Sequence, residues 1–288
     1  MLDLLKIRDE IDEIDREIVR LYEHRMDLAT QVADFKIQSG KEVFDAQREL
    51  DKLHTLSGLA TSEFTKHGIH ELFEHIMSMS RKKQYQLLTE YGKVFETGFS
   101  VWPEDEVKKG RVYTARADRY ALEHFLGREV QLVVVEDSEA LFDALKSEEK
   151  TYGFLEVGAE THDKNVIGFY NLIAEHDCCI VREFTEDAGE KERCLLVTNN
   201  RECIPEADKL TFCFEAPDER GILYHLLSHI TYNNLNLNRI GSWVISTDPL
   251  DYRFFIDVSG SLKDASIQNA VRGLSAESRN FKILGNYY

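Results

Sequence analysis

One stretch limits what this chain can fold into more than any other. From Leu4 the apolar residues run Leu4, Ile7, Ile11, Ile14, Ile18, Leu21, then Leu28, Val32 and Phe35. Spacing that alternates between three and four is the pattern of one long amphipathic helix. A single position breaks it: between Leu21 and Leu28, where the stripe calls for an apolar residue, stands Arg25. A guanidinium on a buried seam is costly unless something anionic meets it. Lys36 lies eleven residues further on, about three turns, and shares roughly the same face. Arg8 flanks the stripe near its start. The helix reads as one that holds an anion.

The overall charge sharpens that reading. At a formal net charge of −17, cations gathered on one apolar stripe stand out, and nucleic acid and anionic membrane are poor partners. No apolar run approaches the roughly 18 residues of a membrane span, and no secretory signal is visible. The cysteines (Cys178, Cys179, Cys194, Cys203 and Cys213) are odd in number and two are adjacent. They read as reduced thiols of a cytoplasmic protein. With His162 or His176 they lack the paired spacing of zinc ligands, so neither metal nor cofactor is expected. Phosphate-binding and dinucleotide-binding glycine motifs are missing, as is a nucleophile elbow.

A chain of 288 residues has room for two or three domains. The first helix is expected over residues 3–39, stopped by Gly40. A second, capped by Asp45, runs to about Leu59. A third spans Ile69 to Tyr91, with Leu72, Phe73, Ile76, Met79 and Leu87 on its apolar face and Ser80 and Gln84 in line with Ile76. A hairpin this long cannot bury its own stripe, so residues 1–91 are expected to form an all-α intertwined homodimer. Residues 92–110 read as a linker. Strands and helices alternate over 111–204, a small α/β domain. Within it the apolar run Val130–Val135 reads as a strand buried on both faces. Residues 205–288 give βαββαβ, the ferredoxin-like order.

Arg8, Arg25, Lys36, Arg48, Ser80 and Gln84 are all cations or hydrogen-bond donors, and Asp45 and Glu49 lie one turn apart. Singly, each cation would pass for a solvated side chain whose stem covers apolar surface. Together they suit a small substrate with two carboxylates, a neutral oxygen and a hydroxyl. Arg8 and Arg25 are about 25 Å apart along one helix. For both to serve one site, Arg8 must come from a second chain.

Three stretches, IRDEIDEIDREIVRLYEHRMDLATQVADFK, VFDAQRE and SRKKQ, resemble the all-helical chorismate mutases across residues 1–90. That resemblance implies pericyclic conversion of chorismate to prephenate, in phenylalanine and tyrosine biosynthesis. It implies that Arg25, and Arg8 of the partner chain, bind carboxylates. Lys36 and Gln84 bracket the ether oxygen, Asp45, Arg48 and Glu49 orient the ring hydroxyl and the other donors, and Ser80 serves a carboxylate.

The order of segments resembles the bifunctional chorismate mutase–prephenate dehydratases, through YGFLEVGAETHDKNVIGFYNLIAEHDCCIVREF. The chemical positions depart from that family. Its glycine-rich loop appears as TARADRY, its E-N-S triplet as Gly158-Ala159-Glu160, and its T-R-F motif as Lys191-Glu192-Arg193-Cys194. Thr161 and Thr185 are the nearby hydroxyls, both read as ordinary loop residues. The segment is also one lobe short, so an inactive, truncated dehydratase-like domain is expected. The last eighty residues resemble an ACT domain through ERGILYHLLSHITYNNLNLNRIGSW. That implies an amino-acid effector, phenylalanine foremost, near Gly221, Ile222 and Leu223 at a helix start and Ile240, Gly241 and Ser242 on a strand. Gly241-Ser242-Trp243-Val244 stands where the family has E-S-R-P.

Overall fold

The computed structural model describes residues 3–103, 107, 110–115, 119–147, 151–159, 163–188 and 190–288. The chain divides into two units, Met1–Val94 and Phe95–Tyr288.

The first unit holds α1 (Leu4–Ser39), α2 (Ala46–Ser57) and α3 (Glu63–Glu90). The Asp3 carboxylate accepts from the Leu5 N–H at 3.1 Å and opens α1. Gly40 closes it at φ +68°, a left-handed turn that glycine takes without strain. Asp45 caps α2 by accepting from the Arg48 N–H at 3.1 Å. The third helix starts earlier than the expected Ile69. Ser62 Oγ accepts from the Thr65 N–H at 3.1 Å, and Gly68 is carried inside the helix. An interior glycine costs only about 1 kcal/mol, which the cap and packing outweigh. The buried face of α3 includes the expected Ser80, Gln84 and Leu87 and is wider than expected. Met77, Tyr85 and Leu87 are buried beside Ser80, Arg81, Lys82 and Gln84, while Leu72 is exposed. From Leu4 to Leu21, by contrast, every residue of α1 is exposed.

In the second unit come β1 (Ser100–Val101), β2 (Arg111–Thr114), α4 (Arg119–Leu126), β3 (Gln131–Val134), α5 (Ser138–Ser147), β4 (Thr151–Ala159), α6 (Asp163–Glu175), β5 (Cys179–Ala188), β6 (Glu190–Thr198) and β7 (Glu202–Cys203). Five strands form one sheet ordered β3-β2-β4-β6-β5. The pairs β3–β2 and β2–β4 are parallel; β4–β6 and β6–β5 are antiparallel. The apolar run at Val130–Val135 does not make a strand buried on both faces. With β2 as its one neighbour, β3 is an edge strand, and Val134 stays 60% exposed. An apolar run gives local burial preference and not the strand's place in the sheet.

The chain ends with β8 (Lys209–Pro217), α7 (Ile222–Tyr232), β9 (Leu237–Thr247), β10 (Leu250–Ser259), α8 (Ala265–Glu277) and β11 (Arg279–Tyr287). Their antiparallel sheet runs β11-β8-β10-β9. Leu226, Ile230, Ile267, Val271 and Leu274 of the two helices pack with Phe212, Phe214 and Ile256 in one core. Cys213, Phe255, Leu284 and Tyr287 belong to a second core, with Phe142, Val166, Tyr170 and Ile173 from the preceding segment. Alternation along β8 thus feeds two cores at once. The segments 111–204 and 205–288 are joined by that second core.

The stretch read as a linker is docked at Phe95, at Ser100–Val101 and at Trp102. The Phe95 N–H donates to Gln268 Oε1 at 2.6 Å, its ring meets Phe281 edge-on, and β1 pairs in parallel with β7. Trp102 is buried. Aromatic side chains in a polar stretch supply the burial that holds it. All five cysteines are buried free thiols. Among the described residues no helix is long and apolar enough to cross a membrane.

Candidate active site

The three helices of the first unit enclose a cavity of about 320 Å³. Arg25 and Lys36 reach it from α1, Asp45, Arg48 and Glu49 from the start of α2, and Ser80 and Gln84 from α3. Leu28, Ala29, Val32 and Met77 give it an apolar floor. Seven of the eight residues singled out from the sequence therefore meet on one wall system. Arg8 does not line the cavity within this chain. It is one of the exposed residues of α1, on the segment whose apolar stripe is uncovered.

Arg25, Lys36 and Gln84 are each tied to a neighbour. Arg25 Nη1 donates to Ser80 Oγ and to the Ile76 carbonyl at 3.4 Å, tying α1 to α3. Lys36 Nζ donates to the Val43 carbonyl at 2.6 Å, so the loop before α2 fixes the ammonium. Gln84 Nε2 donates to the Ser80 carbonyl at 3.2 Å, while its Oε1 is buried with no hydrogen-bond partner. Burial lowers the pKa of Arg25, with the charge of Glu49 acting against it. Lys36 is lowered by burial first and by the charge of Arg48 next, with Asp45 and Glu49 opposing. Both cations are thus held where the charged form is disfavoured, and an anionic ligand would relieve the strain.

Two cations on the wall went unassigned by sequence. Lys52 lines the cavity one turn beyond Arg48, and Arg81 lines it from α3. Arg81 Nη1 donates to Glu49 Oε2. The signal was present: Arg81 is four residues beyond Met77, on the buried face of α3.

In the second unit, the proposed effector residues fall on different elements. Gly221 stands at the N-terminus of α7 with φ +80°. Ile222 lines a cavity of about 410 Å³ with Glu215, Pro249, Asp251 and Arg279. Ile240, Gly241 and Ser242 lie on the edge strand β9, and Gly241 serves packing: a Cβ there would sit 2.1 Å from Ile167 Cδ1 on α6. Of the dehydratase-like positions, Glu160, Thr161 and His162 lie outside the described residues, as does part of TARADRY. Thr185 is exposed on β5. Arg193 is 1% exposed and makes a two-pronged pair with Glu183, at 2.9 and 2.8 Å. Its Nη2 also donates to Tyr170 Oη at 3.3 Å, and that hydroxyl donates to Asp257 at 3.1 Å. The arginine at the T-R-F position is thus one end of a buried network that reaches β10.

Residues 7–85 match the family model for chorismate mutase type II. Across its whole length the chain is 22% identical to the bifunctional chorismate mutase/prephenate dehydratase of Aquifex aeolicus, 98% of which is covered. That alignment runs over 356 positions against 288 residues here, so some positions of the relative have no counterpart. Among solved structures, the prephenate dehydratase of Streptococcus mutans matches with a TM-score of 0.52 at 20% identity, over 62% of this chain and 97% of that one. The prephenate dehydratase of Arthrobacter aurescens in complex with L-Phe matches with a TM-score of 0.52 at 16% identity, over 61% and 89%. The likeness to these structures is one of fold.

Proposed function

Taking the chorismate mutase type II domain at residues 7–85 as the premise, we propose that the chain rearranges chorismate to prephenate in a site completed by a second copy. The carrying observation is the cavity where Arg25, Lys36, Asp45, Arg48, Glu49, Ser80 and Gln84 converge. In this reaction one carbon–carbon bond forms as the ether carbon–oxygen bond breaks, with no proton to move. The protein has to select the folded conformer and stabilise negative charge growing on the ether oxygen. Arg25 and Ser80 take one carboxylate, and Arg8 of the second copy takes the other. Lys36 meets the ether oxygen, aided by Gln84 once its amide turns toward the ligand. Asp45, Arg48 and Glu49 orient the ring hydroxyl. The exposed stripe on α1 supports the second copy, because an apolar face that long is otherwise left in water. The direct test is ultraviolet loss of chorismate by purified protein; no turnover above the uncatalysed rate would sink the reading.

The dehydratase-like segment is proposed to be catalytically silent. The one five-stranded sheet among its described residues, the positions of the Aquifex aeolicus relative without a counterpart and the tied-up Arg193 support this. The relative's bifunctional name favours the second reading, in which dehydratase activity persists. Incubation with prephenate separates the two, since phenylpyruvate formed at rates near mutase turnover requires the second. The final βαββαβ unit is proposed to be an ACT-type regulatory module, supported by its strand order and by the L-Phe complex of one structural neighbour. Mutase rates indifferent to added phenylalanine and tyrosine would leave it a structural module.

A further inference from the structure

We propose that Arg81 is a positioning residue of the mutase site: it holds the Glu49 carboxylate as the acceptor for the substrate's ring hydroxyl. The inference rests on the mutase reading. Arg81 follows Ser80 on α3 and is more than nine-tenths buried. Its Nη1 donates across to Glu49 Oε2 on α2, and its guanidinium lies 5.0 Å from the centre of the Phe44 ring, just before the cap residue Asp45. One side chain thus fixes the turn of α2 that carries Asp45, Arg48 and Glu49.

Charge explains why the site needs such a contact. The cavity wall carries five cations (Arg25, Lys36, Arg48, Lys52 and Arg81) and two carboxylates (Asp45 and Glu49). A dicarboxylate ligand suits the cations, but its hydroxyl needs an acceptor. Asp45 caps α2, its Oδ1 engaged by the Arg48 N–H at 3.1 Å, so its carboxylate is tied to the helix start. Glu49 spends Oε2 on Arg81, which leaves Oε1 to accept from a ligand. Without Arg81 the carboxylate would swing toward Arg48 or Lys52 on its own helix. With Arg81 it is anchored from a different helix, and Oε1 is held in place to accept a hydrogen bond.

The test compares chorismate with its analogue in which the ring hydroxyl is replaced by hydrogen. Arg81→Met and Glu49→Gln should each lower kcat/KM for chorismate by roughly tenfold to a hundredfold, the worth of a hydrogen bond to a charged group. On the deoxy analogue each variant should stay within about twofold of the parent, and the double variant should do no worse on chorismate than either single one. Arg81→Lys, which keeps the charge, should recover part of the loss; it also serves as the informative variant if Arg81→Met does not fold. Equal losses on both substrates, or additive losses in the double variant, would show a merely structural arginine and overturn the inference. A parent protein with no turnover would remove the mutase reading itself, a different result.

Discussion

Replacing Ile14 by Asp sets a carboxylate in the middle of the uncovered stripe of α1. Ile11, Ile14 and Ile18 are 50%, 60% and 55% exposed in the single chain. Covering the exposed half of an isoleucine contributes about 1 kcal/mol, so three per chain in two chains contribute about 6 kcal/mol to association. Ile14→Asp removes about 1 kcal/mol per chain and forces a carboxylate out of water, which costs at least as much again. Counted twice in a symmetric pair, the change is about 4 kcal/mol, a rise of about a thousandfold in the dissociation constant. Sedimentation over a range of concentrations reads the association. Mutase rate per chain, measured on the same samples, should fall with the dimer fraction, since Arg8 then leaves the neighbouring site. A variant that sediments and turns over like the parent would refute the argument, and so would a parent that is monomeric at micromolar concentration.

The remaining expectations concern both units. Lys36→Ala should lower kcat by about a hundredfold to a thousandfold with little change in melting temperature. Because burial and Arg48 lower the Lys36 pKa from 10.5, kcat/KM in the parent should fall on an alkaline limb centred below 10.5. In the second unit, burial raises the Glu183 pKa, but hydrogen bonding by Arg193 and the charge of Lys209 outweigh it, so it sits below 4.5. A depressed carboxylate stabilises the fold above its unfolded value, and that stabilisation is lost as pH falls through the folded value. Urea unfolding should therefore show the loss below about pH 4.5, and Arg193→Met should remove about 3–5 kcal/mol at neutral pH. Gly241→Ala should destabilise the same unit by about 1–3 kcal/mol through the clash with Ile167, and Ile167→Ala should restore part of it.

Helix α1 was legible in the sequence because its periodicity and its glycine stop agree, and because Arg25 violates the pattern. The cavity was legible for the same reason: polar residues on apolar faces have few explanations. Arg81 escaped because it lies beside the Ile76–Ser80–Gln84 line, and the buried face of α3 also includes Met77. The start of α3 lies before the expected Ile69 because Ser62 caps the helix and Gly68 is carried inside it. The docking of Phe95 and Trp102 depends on Gln268 and Cys203, about a hundred residues or more away, and the edge position of β3 depends on how the whole sheet is ordered. Local pattern does not carry such information. The shared core between the two sheets of the second unit escaped for the same reason, since alternation along β8 shows two buried faces without naming what covers the second.

The most direct test of the two-chain site is complementation of two dead variants. Arg8→Ala spoils only the neighbour's site, and Lys36→Ala spoils only its own. Each alone should be nearly inactive on chorismate. Unfolded together and refolded as a mixture, half of the pairs should be mixed, and each mixed pair should contain one intact site. The account predicts recovery of roughly a quarter of the parent's activity per chain. A mixture no more active than the mean of its two components would contradict it.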